Sequence, residues 1–173
     1  MRRNAEQPGM RVFGLAGWSG GGKTTLMVKL LPLLTGRGLR VSTIKHAHHD
    51  FDIDQPGKDS HRHREAGATE VLIGSARRWA LIHEHHGAPE PPLAALLARM
   101  SPVDLVLVEG FKRDDHPKLE VWRRANGKPF LHPDDPHIVA VATDEPVAGL
   151  PLPRFDLDDA DAIARFILVH PGA

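Results

Sequence analysis

Gly17-Trp18-Ser19-Gly20-Gly21-Gly22-Lys23-Thr24 restricts this chain more than any other stretch: a glycine, four residues, then Gly-Lys-Thr. Glycines at this spacing let consecutive backbone N–H groups turn inward on an anion, because no Cβ blocks the approach. The pattern wraps nucleotide phosphates. It assigns Gly17, Ser19, Gly20, Gly21 and Gly22 to the cradle, Lys23 to the β/γ-phosphates and the Thr24 hydroxyl to Mg²⁺. Thr25 opens a helix whose positive end faces the same phosphates. Four fixed positions arise by chance in on the order of 1% of chains this long, given average glycine usage. Context sharpens the match. Val12–Ala16 reads as a buried strand, and Leu26, Leu30, Leu33 and Leu34 recur at helical spacing after the loop.

The 173 residues are expected to form one nucleotide-binding domain over 10–173, preceded by a loose tail at 1–9. Lys+Arg and Asp+Glu both number 22, so no overall basic field gathers nucleic acid. No apolar run approaches the roughly 18 residues that a membrane span needs. The first nine residues lack the apolar core of a secretory signal. A cytoplasmic protein is the simplest expectation.

The first helix is predicted over Lys23–Thr35, ending at Gly36 and Gly38, with a bend where Pro32 removes a backbone donor. Leu39–Ile44 alternates as a second strand, and this βαβ start predicts an α/β fold: a P-loop NTPase with a mostly parallel central sheet flanked by helices. Thr69–Gly74 and Arg78–His83 read as an antiparallel hairpin at the sheet edge, exposed to covering or to another subunit. His137–Asp144 is a further strand. Asp158 and Asp159 are expected to cap a last helix carrying Ile163, Phe166 and Ile167 inward.

Lys45–Ser60 leaves the second strand on the rim of the phosphate loop, with His46, His48, His49, Asp50, Asp52 and Asp54 crowded into it. Such a cluster is either a solvated polar loop or a functional one. In the functional reading, Asp50 or Asp52 holds a water on Mg²⁺ or positions the attacking water, and Lys45 and His46 face anions. A transition-metal site from His46, His48 and His49 is the rival, although its spacing matches no recognised zinc pattern.

Val103–Gly110 is nearly continuous apolar sequence ending in an acid, as a central parallel strand does when its tip reaches a metal. Asp104 starts that strand, about 16 Å from the rim at ~3.3 Å per residue, so the Mg²⁺-side role falls to Glu109. Lys112 and Arg113 are candidates for an anionic ligand or plain surface charge. Lys118–Arg123 alternates like another strand, with Trp122 read as packing. Asp144 can accept two hydrogen bonds from a guanine edge or simply turn the chain before Pro146; the full Asn-Lys-x-Asp signature is absent.

Gly17–Thr25, Ile44–Asp54 with Pro56–Ser60, Arg78–Leu81 and Leu107–Lys112 together resemble the MobB family of molybdopterin-guanine dinucleotide biosynthesis adapter proteins, over roughly Arg11 to Phe166. The resemblance implies a GTP-binding protein with weak GTPase activity that forms a homodimer. It also implies a MobA-type guanylyltransferase partner, and contact with molybdopterin or its guanine dinucleotide. Carried over, Gly20 to Thr25 bind phosphate, Thr24 ligates Mg²⁺ and Glu109 is its acidic partner, with Lys23, Asp50 and Glu109 as the catalytic candidates. Two other readings stay open: an ATP-dependent small-molecule kinase with Arg62, Arg64, Arg77 or Arg78 on a lid, and a metal-delivery GTPase using the His/Asp loop.

Overall fold

A computed structural model describes residues 9–47 and 51–171. Contacts group the chain into two compact units, 1–46 with 101–173, and 47–100.

The first unit is built on a six-stranded sheet. Its strands are β1 (Arg11–Ala16), β2 (Val41–Lys45), β5 (Leu105–Glu109), β6 (Lys118–Trp122), β7 (Ile138–Thr143) and β8 (Arg154–Asp156). They lie in the order β2-β5-β1-β6-β7-β8, every pair parallel. Parallel strands buried on both faces carry continuous apolar runs, and Leu105–Val108 are all buried. On one face, Phe13, Leu15, Leu107 and Val121 pack with Leu26, Leu30 and Leu34 of α1 (Lys23–Thr35) and with Ile163 and Ile167 of α4 (Ala160–Val169). Asp159 caps α4, accepting the Ala162 N–H at 2.9 Å. Asp158 is not a second cap: it meets Lys29 of α1 at 2.9 Å, so the two acids divide capping and helix-to-helix pairing between them. Pro32 lies inside α1, and the Gly36 N–H to Pro32 carbonyl bond at 2.9 Å continues the ladder beyond it.

The other face of β6 departs from what alternation ordinarily gives. Lys118 and Glu120 point away from the helices, yet both are fully buried. Irregular chain takes the place of a helix there. Glu120 accepts the backbone N–H groups of Leu131 (2.6 Å) and His132 (3.0 Å), and Lys118 pairs with Asp135 at 3.0 Å. His116 sits against Gly14, where a side chain on the glycine would collide with the imidazole ring. Burial, then the Lys118 charge, pushes its pKa down to about 4.

At the amino-terminal rim, Asp104 accepts the Arg40 N–H at 2.7 Å and its guanidinium at 3.1 Å, which confirms that this acid faces away from the phosphate loop. Arg40 in turn holds the Asp104 carboxyl below the usual carboxylate range.

The second unit holds α2 (Asp59–Glu65), the antiparallel pair β3 (Glu70–Gly74) and β4 (Trp79–His83), and α3 (Leu93–Leu97). The expected hairpin is present, hydrogen-bonded as a two-stranded sheet of its own rather than onto the six-stranded one. Arg64 is its electrostatic centre: the guanidinium reaches Asp52 at 2.8 Å, Glu84 at 2.7 Å and Asp54 at 3.5 Å.

Candidate functional site

The turn between β1 and α1 carries the site. Gly22 precedes α1 with φ 98°, a left-handed conformation that costs glycine little, and offers no side chain to cap the helix. The first N–H groups of α1 therefore point into the loop without a side-chain acceptor, at the positive end of thirteen helical residues. Gly17, at φ 139°, packs against the Val121 carbonyl so closely that any Cβ would overlap it.

Lys23 bends back over this turn. Its ammonium donates to the Gly17 carbonyl at 3.0 Å and the Trp18 carbonyl at 2.9 Å. Burial lowers its pKa, Glu109 opposes that, and the charges of Lys112 and Lys45 add to the lowering. Three lysines thus bear on one loop, and an anion there would relieve both their repulsion and the lost hydration.

Thr24 and Glu109 meet: the hydroxyl donates to the carboxylate at 2.8 Å. Glu109 ends β5, in register with Leu15 of β1 on one side and Lys45 of β2 on the other. A hydroxyl and a carboxylate side by side at the phosphate loop are the hard oxygen donors that Mg²⁺ accepts alongside phosphate and water. They fit that ion. Directly after Glu109 the backbone takes two positive φ angles, 101° at Gly110 and 47° at Phe111. A Cβ on Gly110 would come within 2.6 Å of the His46 Cβ, and the His46 ring stacks on Phe111 at 4.6 Å. His46 is thus packed onto the corner behind Glu109.

Three further groups surround the loop. Lys112 lies over the Trp18 indole at 4.8 Å, and that indole donates to the Pro129 carbonyl at 2.8 Å. Trp122 stacks on Phe130 at 4.4 Å, as a packing residue should. Asp144, at the end of β7, is held by Arg123 at 2.9 Å, and Arg123 also donates to the Gly21 carbonyl at 3.3 Å. Sequence reasoning passed over Arg123. Its only signal was position, one residue past a strand that proved to lie beside β1.

His48, His49 and Asp50 lie outside the described residues. Asp52 belongs to the 47–100 unit, where it accepts both Arg64 and the Asp54 N–H. A cavity of about 640 Å³ in that unit is lined by Phe51, Ile53 and His85 together with Asp52, Glu84 and Arg64, whose charges already satisfy one another. Among the described residues no three His, Asp or Glu side chains converge to hold a metal, and no helix is long and apolar enough to cross a membrane.

Residues 12–144 match the family described as molybdopterin guanine dinucleotide synthesis protein B. A molybdopterin-guanine dinucleotide biosynthesis adapter protein of Escherichia coli (strain K12) is 43% identical over 160 residues, covering 91% of each chain. A protein of the same description from Haemophilus influenzae is 42% identical, covering 90% of this chain and 86% of its own. Among solved structures, a molybdopterin-guanine biosynthesis protein B superposes with a TM-score of 0.70 at 32% identity, over 91% of this chain and 96% of that one. The crystal structure of a MobB homologue from Bacillus stearothermophilus gives 0.67 at 28% identity, over 92% and 96%.

Proposed function

The chain belongs to the molybdopterin guanine dinucleotide synthesis protein B family, and from that membership we propose that it is a GTP-binding adapter in molybdopterin-guanine dinucleotide biosynthesis. It binds GTP with Mg²⁺, hydrolyses it slowly, and works in the cytoplasm beside a MobA-type guanylyltransferase that handles molybdopterin. One observation carries the nucleotide reading: an uncapped helix start, the Lys23 ammonium and the Thr24–Glu109 pair converge on a single turn.

In this reading the loop N–H groups and the α1 dipole orient the triphosphate, and Lys23 exchanges its two carbonyl acceptors for phosphate oxygens. Thr24 and Glu109 would hold Mg²⁺, which would supply positive charge against the phosphates. Fast hydrolysis needs a glutamine that orients water or an arginine on the developing charge. No residue of the sequence declares itself as either, and Arg123 is engaged by Gly21 and Asp144. Turnover well below the ~10 s⁻¹ median of enzymes follows.

The hairpin supports a homodimer. Leu72 and Leu81 stand opposite each other in register, and with Trp79 they form an exposed apolar patch, Leu72 65% and Trp79 66% accessible. A two-stranded sheet is marginal in water by itself, so an edge of this kind gains from a second copy.

Calorimetric titration of GTP and of ATP, each with Mg²⁺, tests the nucleotide reading on the unmodified chain and on Lys23→Ala. GTP binds more tightly than ATP, and the variant loses about 2–4 kcal/mol of phosphate affinity. An undiminished affinity in the variant would remove this loop from the function. Phosphate transferred to a small molecule, rather than released, would point instead to a kinase.

A further inference from the structure

Arg123 leaves the end of β6 with its guanidinium shared between two places. Nε donates to the Gly21 carbonyl in the phosphate loop at 3.3 Å, and Nη1 donates to Asp144 Oδ2 at 2.9 Å. Gly22 is part of the same contact, since a Cβ built on it would stand 3.5 Å from Arg123 Nε. One planar cation therefore ties the anion cradle to the acid that ends β7.

We infer that the Arg123–Asp144 pair is a recognition edge for a 2-amino-4-oxopyrimidine ring, the hydrogen-bonding edge that guanine and pterin share. This rests on the nucleotide reading of the adjoining loop and deepens it. The ring presents, in sequence, a carbonyl acceptor, a ring N–H donor and an amino donor. The ion pair presents the complement: guanidinium donors beside a carboxylate with acceptor capacity to spare. A guanidinium has five N–H donors, and a carboxylate has about four lone-pair sites, one of which Arg123 uses. Adenine offers a ring nitrogen lone pair where this edge needs a donor, so the carboxylate repels it. Arginine suits the task better than lysine, because its rigid fork serves two acceptors in fixed directions at once. The Asn-Lys-x-Asp signature is absent from this sequence. Here a residue from the neighbouring strand supplies the cation that fixes the lone acid.

Calorimetry on the full chain tests this, with GTP, inosine triphosphate, xanthosine triphosphate and ATP, each with Mg²⁺. Inosine lacks the 2-amino donor, so its triphosphate binds the unmodified chain about tenfold more weakly than GTP, the equivalent of one hydrogen bond. Arg123→Ala lowers the GTP-to-ATP ratio at least about tenfold, and Arg123→Lys restores part of it. Asp144→Asn turns an acceptor into a donor and shifts preference from GTP toward xanthosine triphosphate, a gain that damaged folding does not produce. Equal affinity for GTP and inosine triphosphate, with no gain for xanthosine triphosphate in Asp144→Asn, overturns this inference alone. Failure of the unmodified chain to bind any triphosphate removes the nucleotide reading as well. Competition with 6-hydroxymethylpterin separates the two sources of the ring: displacement of GTP that is lost in Asp144→Asn extends the edge to pterins, and no displacement confines it to guanine.

Discussion

Leu107, in the middle of β5, is completely buried within the apolar core cluster. Arg64, in the 47–100 unit, is enclosed mainly by carboxylates. Among the described residues of that second unit only two apolar side chains, Val71 and Leu93, are buried, while Leu72, Ile73, Trp79 and Leu81 face water. The first unit is thus held by nondirectional burial, which tolerates change of solution conditions and fixes the strand tips firmly. The second is held by directional charge pairs around one cation and keeps its apolar surface available. A site that must position phosphate oxygens needs the former. A surface that must meet another chain is well served by the latter.

The largest difference between the units should appear on removing Leu107. Leu107→Ala leaves a cavity in the sheet and should cost about 2–5 kcal/mol in urea denaturation of the phosphate-loop unit. Arg64→Ala should act on the other unit instead, speeding amide exchange within 47–100 about tenfold and leaving β1 and β5 protected. If β1 exchanged equally fast, the two-unit description would fail.

Acid should separate the units further. The folded pKa of His116 is lowered to about 4, mainly by burial, against about 6.5 when unfolded. Its contribution is complete above pH 6.5 and declines as pH falls toward 4, because the unfolded chain takes the proton and the folded one resists it. Asp52 is held low by the Asp54 N–H and by Arg64, so its contribution persists above the ordinary carboxylate pKa and is lost only below it. Thermal stability of the first unit should therefore fall between pH 7 and 5, and His116→Gln should flatten that slope. The smallest effect on the chain itself belongs to Leu72→Ser, which should leave stability within about 0.5 kcal/mol while weakening self-association in sedimentation runs.

The turn between β1 and α1 was legible because its signal is local: glycines, a lysine and a threonine at fixed spacing, between a strand and a helix. The parallel sheet followed from Leu105–Val108 and from the βαβ start, and Glu109 emerged by geometry once Asp104 fell on the far rim. What escaped depends on neighbours remote in sequence. Lys118 and Glu120 read as a strand's polar side, yet they are buried because residues 131–135 fold back to satisfy them. β8, only Arg154–Asp156, is too short to show a period. Arg123 could not be singled out before β6 was known to border β1, which puts its guanidinium at Gly21.

The corner at Gly110 and Phe111 bears on any attempt to move this strand tip into another protein. Transplanting β5 with its terminal acid would carry the left-handed pair along, but the ring that covers it comes from His46, which follows a different strand. A graft that left His46 behind would keep a strained phenylalanine, at roughly 1–2 kcal/mol, with nothing stacked on it. The heritable unit is therefore a patch spanning two adjacent strands, and substitutions at 46, 110 and 111 should be accepted together or not at all.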